Sequence, residues 1–327
     1  VSEAVRPGTA SAPERAPAAP PAPAPGGRWH RLRRDRSLLL MALPAVGLLV
    51  LFVYVPLIWI TVAFKDYDPY VSGLWSSPWT GLENITLLLE DSRFWDAGAN
   101  TLAITFLQLV LFFPVPIALA LLLNSLLSER LRGVVQSVLY LPHFFSWVLV
   151  ITVFQQMLGG AGLLSQLLRA RGYEGFDLMT DPGAFKFLVT AQMVWKDAGW
   201  GVIVFLAALS SVNQDLYEAA AADGAGRWRR MWHITLPALR PVIALLLVLR
   251  VGDSLTVGFE QILLQRDAVG PGASEVFDTY VWWVGLASGD YGVAAAGGLV
   301  KGLFSLVLVL LANKVAHLLG EQGVYRK

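Results

Sequence analysis

The chain has 327 residues, 55% of them hydrophobic and 15% charged, with a mean hydropathy of +0.56. Soluble domains carry about 25% charged residues, so the composition excludes an ordinary globule and predicts an all-α membrane protein. The net charge of +1 gives no reason to expect nucleic acid as a partner, and the lack of cysteine excludes disulfides, thiol nucleophiles and Cys-ligated metals.

The four histidines (His30, His143, His233, His317) show no metal-binding spacing, and no phosphate-binding glycine loop occurs. No metal or other cofactor is therefore expected, and any ATP chemistry has to come from another chain.

Residues 1–27 are rich in Ala, Pro and Gly and cannot bury a core, so they read as disordered. With the basic stretch Arg28 to Arg36 they make a tail, 1–36, ahead of a membrane domain at 37–320 and a short end at 321–327. The first apolar run is too long for a signal-peptide core and no small-residue cleavage site follows it. An uncleaved first span is expected, with its amino end in the cytoplasm.

Six spans follow from runs of roughly 20 apolar residues: Ser37 to Phe64, Ala99 to Asn124, Val134 to Leu158, Phe185 to Leu209, Leu239 to Leu264 and Val293 to His317. Pro44, Pro56, Pro114 and Pro116 are tolerable inside them, because neighbouring helices re-satisfy freed backbone groups. Basic residues collect on one side: Arg28 to Arg36, Arg130 with Arg132, Arg227, Arg229, Arg230, Arg240, Arg326 and Lys327. Acidic residues dominate Lys65 to Gly98 on the other. The positive-inside rule then puts both termini in the cytoplasm. Aromatic residues near span ends (Trp59, Tyr67, Trp75, Trp79, Trp95, Trp147, Trp282, Trp283) suit an interfacial belt.

Between the fourth and fifth spans lies a polar loop, 211–238, that contains EAAAADGAGRWRRMWHITLP (Glu218 to Pro237). Its alanine run predicts a helix, broken at Gly224. A second short helix, Arg227 to His233, would lie along the membrane surface with its Arg and Trp side chains at headgroups. Pro237 and Pro241 suit the first turn of the next span.

The spaced set Glu218, Ala219, Ala220, Asp223, Gly224, Ala225, Ile234, Leu236 and Pro237 resembles the loop by which permease subunits of bacterial binding-protein-dependent ABC sugar importers grip their ATPase. Met231 stands where that family usually has an aromatic residue. Further stretches are similar to the same family. They include Gly81 to Ile85 after Trp79, Phe94 to Ala97 with Asn100 and Thr101, and Arg132-Gly133 with Leu139 to Pro142 and Ser146. Val194 to Trp200, Phe205 to Ser210 and Asp215 to Ala220 belong with them.

Gly258 to Leu264 and Thr279 to Leu286 resemble the branch that handles oligosaccharides or polysaccharide fragments, although Gly270-Pro271-Gly272 replaces the usual Gly-Gly-Pro. The resemblance implies the type I importer fold and a bacterial plasma-membrane location. It also implies four kinds of partner besides membrane lipid: a second homologous permease, a cytoplasmic ATPase dimer, an extracellular solute-binding lipoprotein and a sugar substrate. No ATPase site of its own is expected.

Ionisable residues inside spans are costly and functional by default. Arg250, Asp253 and Glu260 are expected on one face of the fifth span, where Arg250 and Asp253 could simply pair. Lys196 and Asp197 fall mid-way in the fourth span and Lys301 in the sixth. With Gln108, Gln155, Gln156, Gln192, Trp195 and Gln261 they are candidates for a polar translocation path, since sugar hydroxyls want donors and acceptors and ring faces stack on aromatics. Two other readings compete. His143 beside Ser146 would serve an intramembrane hydrolase, weakened by Pro142. A lone channel or secondary transporter would leave the alanine-glycine loop without a task.

Overall fold

The computed structural model describes residues 36–126 and 128–318. The expected tail up to residue 35, with most of its basic cluster, and the end at 321–327 lie outside the described residues. Among the described residues there is no strand beyond one isolated bridge, Lys65 to Trp79. Among them, six helices are long and apolar enough to cross a membrane: Leu39–Phe64, Ser92–Asn124, Trp147–Arg169, Phe185–Ser210, Arg227–Gly252 and Tyr291–Leu318.

The chain forms two compact units, one up to Ile58 and one from Trp59 onward. The described part of the first is a helix, Arg36–Leu49, that continues through Val50–Tyr54 and Val55–Leu57. It is apolar all round, the pattern of a membrane helix, and its side chains from Leu39 to Leu57 are exposed.

Proline shapes the long helices in a regular way. Of the four wide helical turns among the described residues, three, Val50–Tyr54, Gln108–Phe112 and Met231–Thr235, end two residues before Pro56, Pro114 and Pro237. Proline lacks an N–H and its ring pushes on the carbonyl four residues back. The residue just ahead of each proline (Val55, Phe113, Leu236) bonds to the carbonyl five residues back, on Val50, Gln108 and Met231. One extra residue per turn relieves the clash without breaking the helix.

Two expected spans are corrected. Val134 to Leu158 is not one helix. A helix at Glu129–Tyr140 gives way to a tight turn at Leu141–Phe144, and a new helix starts at Trp147. Pro142 accounts for the interruption, and Ser146 restarts the chain as an N-cap, accepting from the Leu149 N–H. The fifth span ends at Gly252 rather than Leu264. Weak helix formers follow it, and Gly258 sits at φ +68° before a short helix, Phe259–Leu263. The Thr105 hydroxyl on the second span captures the Ser254 carbonyl freed by that break.

The expected surface helix at Arg227 to His233 is likewise corrected, because it runs straight into the fifth span through the wide turn before Pro237. Pro237 opens the regular helix that follows, whereas Pro241 lies inside it.

The second unit packs around three apolar clusters. One joins Leu88, Phe94, Ala97, Phe277, Tyr280 and Ala296, next to the loops after the first and fifth spans. A second centres on Ile104, Phe185, Val189 and Ile262. The third, nearest the 211–238 loop, holds Ala120, Leu123, Val202, Phe205 and Leu239. Several resemblance motifs turn out to be pins between these elements. Buried Asn84 donates to the Ala63 and Lys65 carbonyls. Asn100 donates to the carbonyls of Gly272 and Glu275, and the Thr101 hydroxyl accepts from the Phe277 N–H. Pro271, in the Gly-Pro-Gly stretch, opens a one-turn helix, Pro271–Ser274.

Candidate functional site: the loop between the fourth and fifth spans and the polar layer of the spans

Residues 213–225 form a capped helix with an engineered-looking economy of parts. Asn213 caps the start, its side chain accepting from the Asp215 N–H at 2.9 Å. The helix Gln214–Ala222 ends in a Schellman cap. The Ala225 N–H reaches back to the Ala220 carbonyl (2.8 Å) and the Gly224 N–H to the Ala221 carbonyl (3.0 Å). That closure needs a left-handed residue, and Gly224 takes φ +75°. The Ala-Ala and Asp-Gly-Ala parts of the motif are thus the two ends of one backbone clasp.

The loop is tied to the fifth span by a hydrogen bond of 3.0 Å between the hydroxyls of Tyr217 and buried Thr235. The His233 imidazole bonds the Arg229 carbonyl at 2.9 Å. Ala220, Asp223, Ala225, Arg229, His233 and Ile234 line a depression of about 250 Å³. Glu218, Ala219, Asp223 and Gly224 are exposed, while Ala220, Ala225, Ile234, Leu236 and Pro237 are half-buried. Among the described residues, nothing covers the outward face that Glu218 and Ala219 present. Trp228 and Trp232 are also exposed, edge to face at 6.1 Å.

Inside the spans, two stretches 54 residues apart lock together. The Lys196 ammonium donates to the His143 carbonyl (2.7 Å) freed by the Pro142 turn, and the Asp197 carboxylate accepts from His143 Nδ1 at 2.9 Å. The His143 ring stacks on Trp200 with centroids 4.6 Å apart. Gly199 lies so close to the Leu139 carbonyl oxygen that a Cβ there would sit 1.9 Å from it. This docking was not foreseen, although both stretches stood out in the sequence. The Ser146 oxygen caps the next helix and His143 Nδ1 bonds Asp197, and among the described residues no hydrogen bond joins Ser146 to His143.

The path candidates separate into sealed and open groups. Gln192 and Gln261 are buried and bond each other at 2.7 Å. Gln265, which the sequence did not flag, completes the set, giving and accepting bonds with Gln192 at 3.1 and 3.0 Å. Lys301 pairs with Asp278. Gln156, Asp253 and Glu260 are exposed. Trp195 is 40% exposed and touches Phe145 and Phe154 edge-on or tilted.

The expected common face of Arg250, Asp253 and Glu260 is a correction, because the helix ends between them, and Arg250 forms no ion pair with Asp253. Its guanidinium donates instead to Gln108 Oε1 at 2.7 Å and lies over the Phe112 ring at 5.4 Å.

At the other end of the unit, Asp91 receives hydrogen bonds from Arg93 and from the Tyr280 hydroxyl (2.9 Å). Burial pushes its pKa up, but these donors outweigh it and hold the carboxyl below its usual value. Burial first, and then the bond to Asp91, raise the Tyr280 phenol. A polar cavity of about 480 Å³ beside it is lined by Lys65, Asp66, Asp68, Glu83, Asp290 and Tyr291.

Six helices of membrane-crossing length, with a capped loop between the fourth and fifth that leaves a face uncovered, fit a transport permease. The chain belongs to the family of inner membrane components of binding-protein-dependent transport systems, whose model matches residues 112–320. It is a multi-pass inner-membrane protein. It is 42% identical to the polygalacturonan/rhamnogalacturonan transport system permease protein YteP of Bacillus subtilis, over 90% of this chain and 92% of that one.

Among solved structures it resembles a chain of a bacterial ABC transporter involved in import of the acidic polysaccharide alginate, with 36% identity and a TM-score of 0.81. That match covers 88% of this chain and 98% of the other. A second structure shows the bacterial alginate transporter in complex with a periplasmic protein bound to an alginate pentasaccharide. It matches at a TM-score of 0.82 and 36% identity, covering 91% of this chain and 99% of the other.

Proposed function

We propose that this chain is one of two related permease subunits of an ABC importer for oligosaccharides, driven by a separate ATPase dimer and supplied by an external solute-binding lipoprotein. The sugar named for YteP and for the alginate importer supports a carbohydrate cargo. Both termini and the 211–238 loop face the cytoplasm in this reading, following the side on which Arg and Lys gather. The chain performs no bond chemistry. ATP draws the two ATPases together, and the helix Gln214–Ala222 moves with the groove that holds it. The spans then tilt from inward-facing to outward-facing and accept sugar from the docked binding protein. Hydrolysis resets the state.

The observation that carries the reading is the clasped elbow with an uncovered Glu218–Ala219 face, fastened through Tyr217 and Thr235 to a helix continuous from Arg227 to Gly252. A rigid lever needs a stiff tip, a free contact face and no loose joint at its root. The chain has no native cysteine, so a single Ala219→Cys gives a clean probe. Bifunctional crosslinking in the assembled transporter is expected to join that thiol to the ATPase, in a yield that changes with ATP. A crosslink to no nucleotide-hydrolysing subunit would overturn the assignment.

A further inference from the structure

The three basic side chains set deep within the fourth to sixth spans are not treated alike. Lys196 has the Asp197 carboxylate beside it and Lys301 has Asp278. Arg250 has neither. Among the described residues it forms no ion pair, and all its contacts are with neutral groups: the Gln108 amide oxygen (2.7 Å), the Met193 sulfur (3.3 Å) and the Phe112 ring (5.4 Å). Asp253 and Asp197 act on it only through space. Both protein hydrogen bonds use Nη2, so Nη1 and Nε carry no protein partner, yet neither nitrogen is sealed from solvent.

Its support is firm. Gln108 is buried, and Gln108 and Phe112 are the two ends of the wide turn ahead of Pro114. Wide turns inside helices frequently mark functional sites.

With Nη2 held by Gln108 and Met193, neither two-pronged edge of the guanidinium (Nε–Nη2 or Nη1–Nη2) is free, so Nη1 and Nε are left to give single charge-assisted hydrogen bonds to an anion. A lone cation at membrane depth is retained where an anion is met. We propose that Arg250, positioned by Gln108 and Phe112, recognises the carboxylate of an acidic sugar as it crosses, which makes uronic-acid oligosaccharides the substrate class. This deepens the importer reading above and rests on it.

The test uses the purified assembled transporter, free of nucleotide and binding protein, with trigalacturonate and its fully methyl-esterified form as probes. Wild type is expected to bind the free acid at least tenfold more tightly than the ester. Arg250→Gln should erase that difference, leaving ester affinity within about twofold, and Arg250→Lys should keep part of it.

Gln108→Glu is the sharper variant. It supplies an internal carboxylate to Arg250, so it should raise thermal stability while losing the preference for the acid. Equal affinity for the two probes in wild type overturns the proposal, as does a preference that survives in Arg250→Gln or in Gln108→Glu. ATP-driven uptake of trigalacturonate in vesicles with binding protein separates the two levels. If uptake fails for every oligosaccharide the importer reading falls with this one, whereas uptake unaffected by Arg250→Gln removes this one alone.

Discussion

The loop at 211–238 and the docking of Val194–Trp200 on Leu139–Ser146 stand out equally in the sequence, yet they spend their residues in opposite ways. In the docking, every distinctive side chain is used inside the chain: Lys196 and Asp197 on His143, Trp200 on its ring, and Gly199 under Leu139. In the loop, the shape is held by backbone bonds, the Asn213 cap, the His233 bond to the Arg229 carbonyl and one hydroxyl pair, while Glu218, Ala219 and Asp223 are exposed. A motif whose side chains are consumed at home explains the fold. One whose side chains are left over calls for a second molecule.

The largest effect is expected at the docking. Gly199→Val places branched carbon against the Leu139 carbonyl and should cost about 4 kcal/mol or more, so that no monodisperse protein is recovered from detergent. A melting temperature within a few degrees of wild type would show that the contact is not as tight as described. Next comes Gly224→Pro, which cannot adopt φ +75°. It should cut ATP-driven uptake roughly 100-fold, equivalent to about 2.7 kcal/mol, while membrane insertion and melting temperature barely move. Loss of insertion would move the loop into the same class as the docking.

Gln192→Leu leaves Gln265 Oε1 without its donor, while the Gln261 and Gln265 amide nitrogens keep their bonds to the Val189 and Gln261 carbonyls, and should cost about 1–3 kcal/mol, read as a lower melting temperature without change in ATPase coupling per folded molecule. Tyr217→Phe removes the bond to Thr235, worth about 0.5–1.5 kcal/mol. Faster amide exchange confined to residues 211–238 is its expected signature. Smallest is the pH effect at Asp91. Its folded pKa lies below the ordinary 3.8, so its contribution is complete above that value and is lost only as pH falls through the folded pKa. Asp91→Asn should flatten the acid limb of a melting-temperature profile and leave neutral pH almost unaffected.

Much of the fold was legible because apolar runs of about 20 residues admit few other readings. Four of the six spans lie within a few residues of their expected ends, apart from an earlier start at Ser92. The failures share one cause. Hydropathy continues across Leu139–Ser146 and across Gly252–Leu264, but backbone geometry does not, since Pro142 ends one helix and Gly258 resets another. Arg250, Asp253 and Glu260 were placed on one face by counting along a helix that stops between them. Gln265 was hidden because it lay one residue beyond the expected span, although Gln261 and Gln265 share the spacing of a single helical turn. The loop was legible for the converse reason, as its Gly224 requirement is local and visible in a few letters.

The wide turn at Met231–Thr235 has a mechanical side. Each residue advances a helix by about 100°, so the extra residue ahead of Pro237 fixes the rotational phase between the loop-side turn Arg227–Arg230 and the membrane face of Arg250. In the importer proposed above, deleting one residue there would leave both parts folded but turn the lever about 100° relative to the gate. The transmission would still be connected, and it would push in the wrong direction.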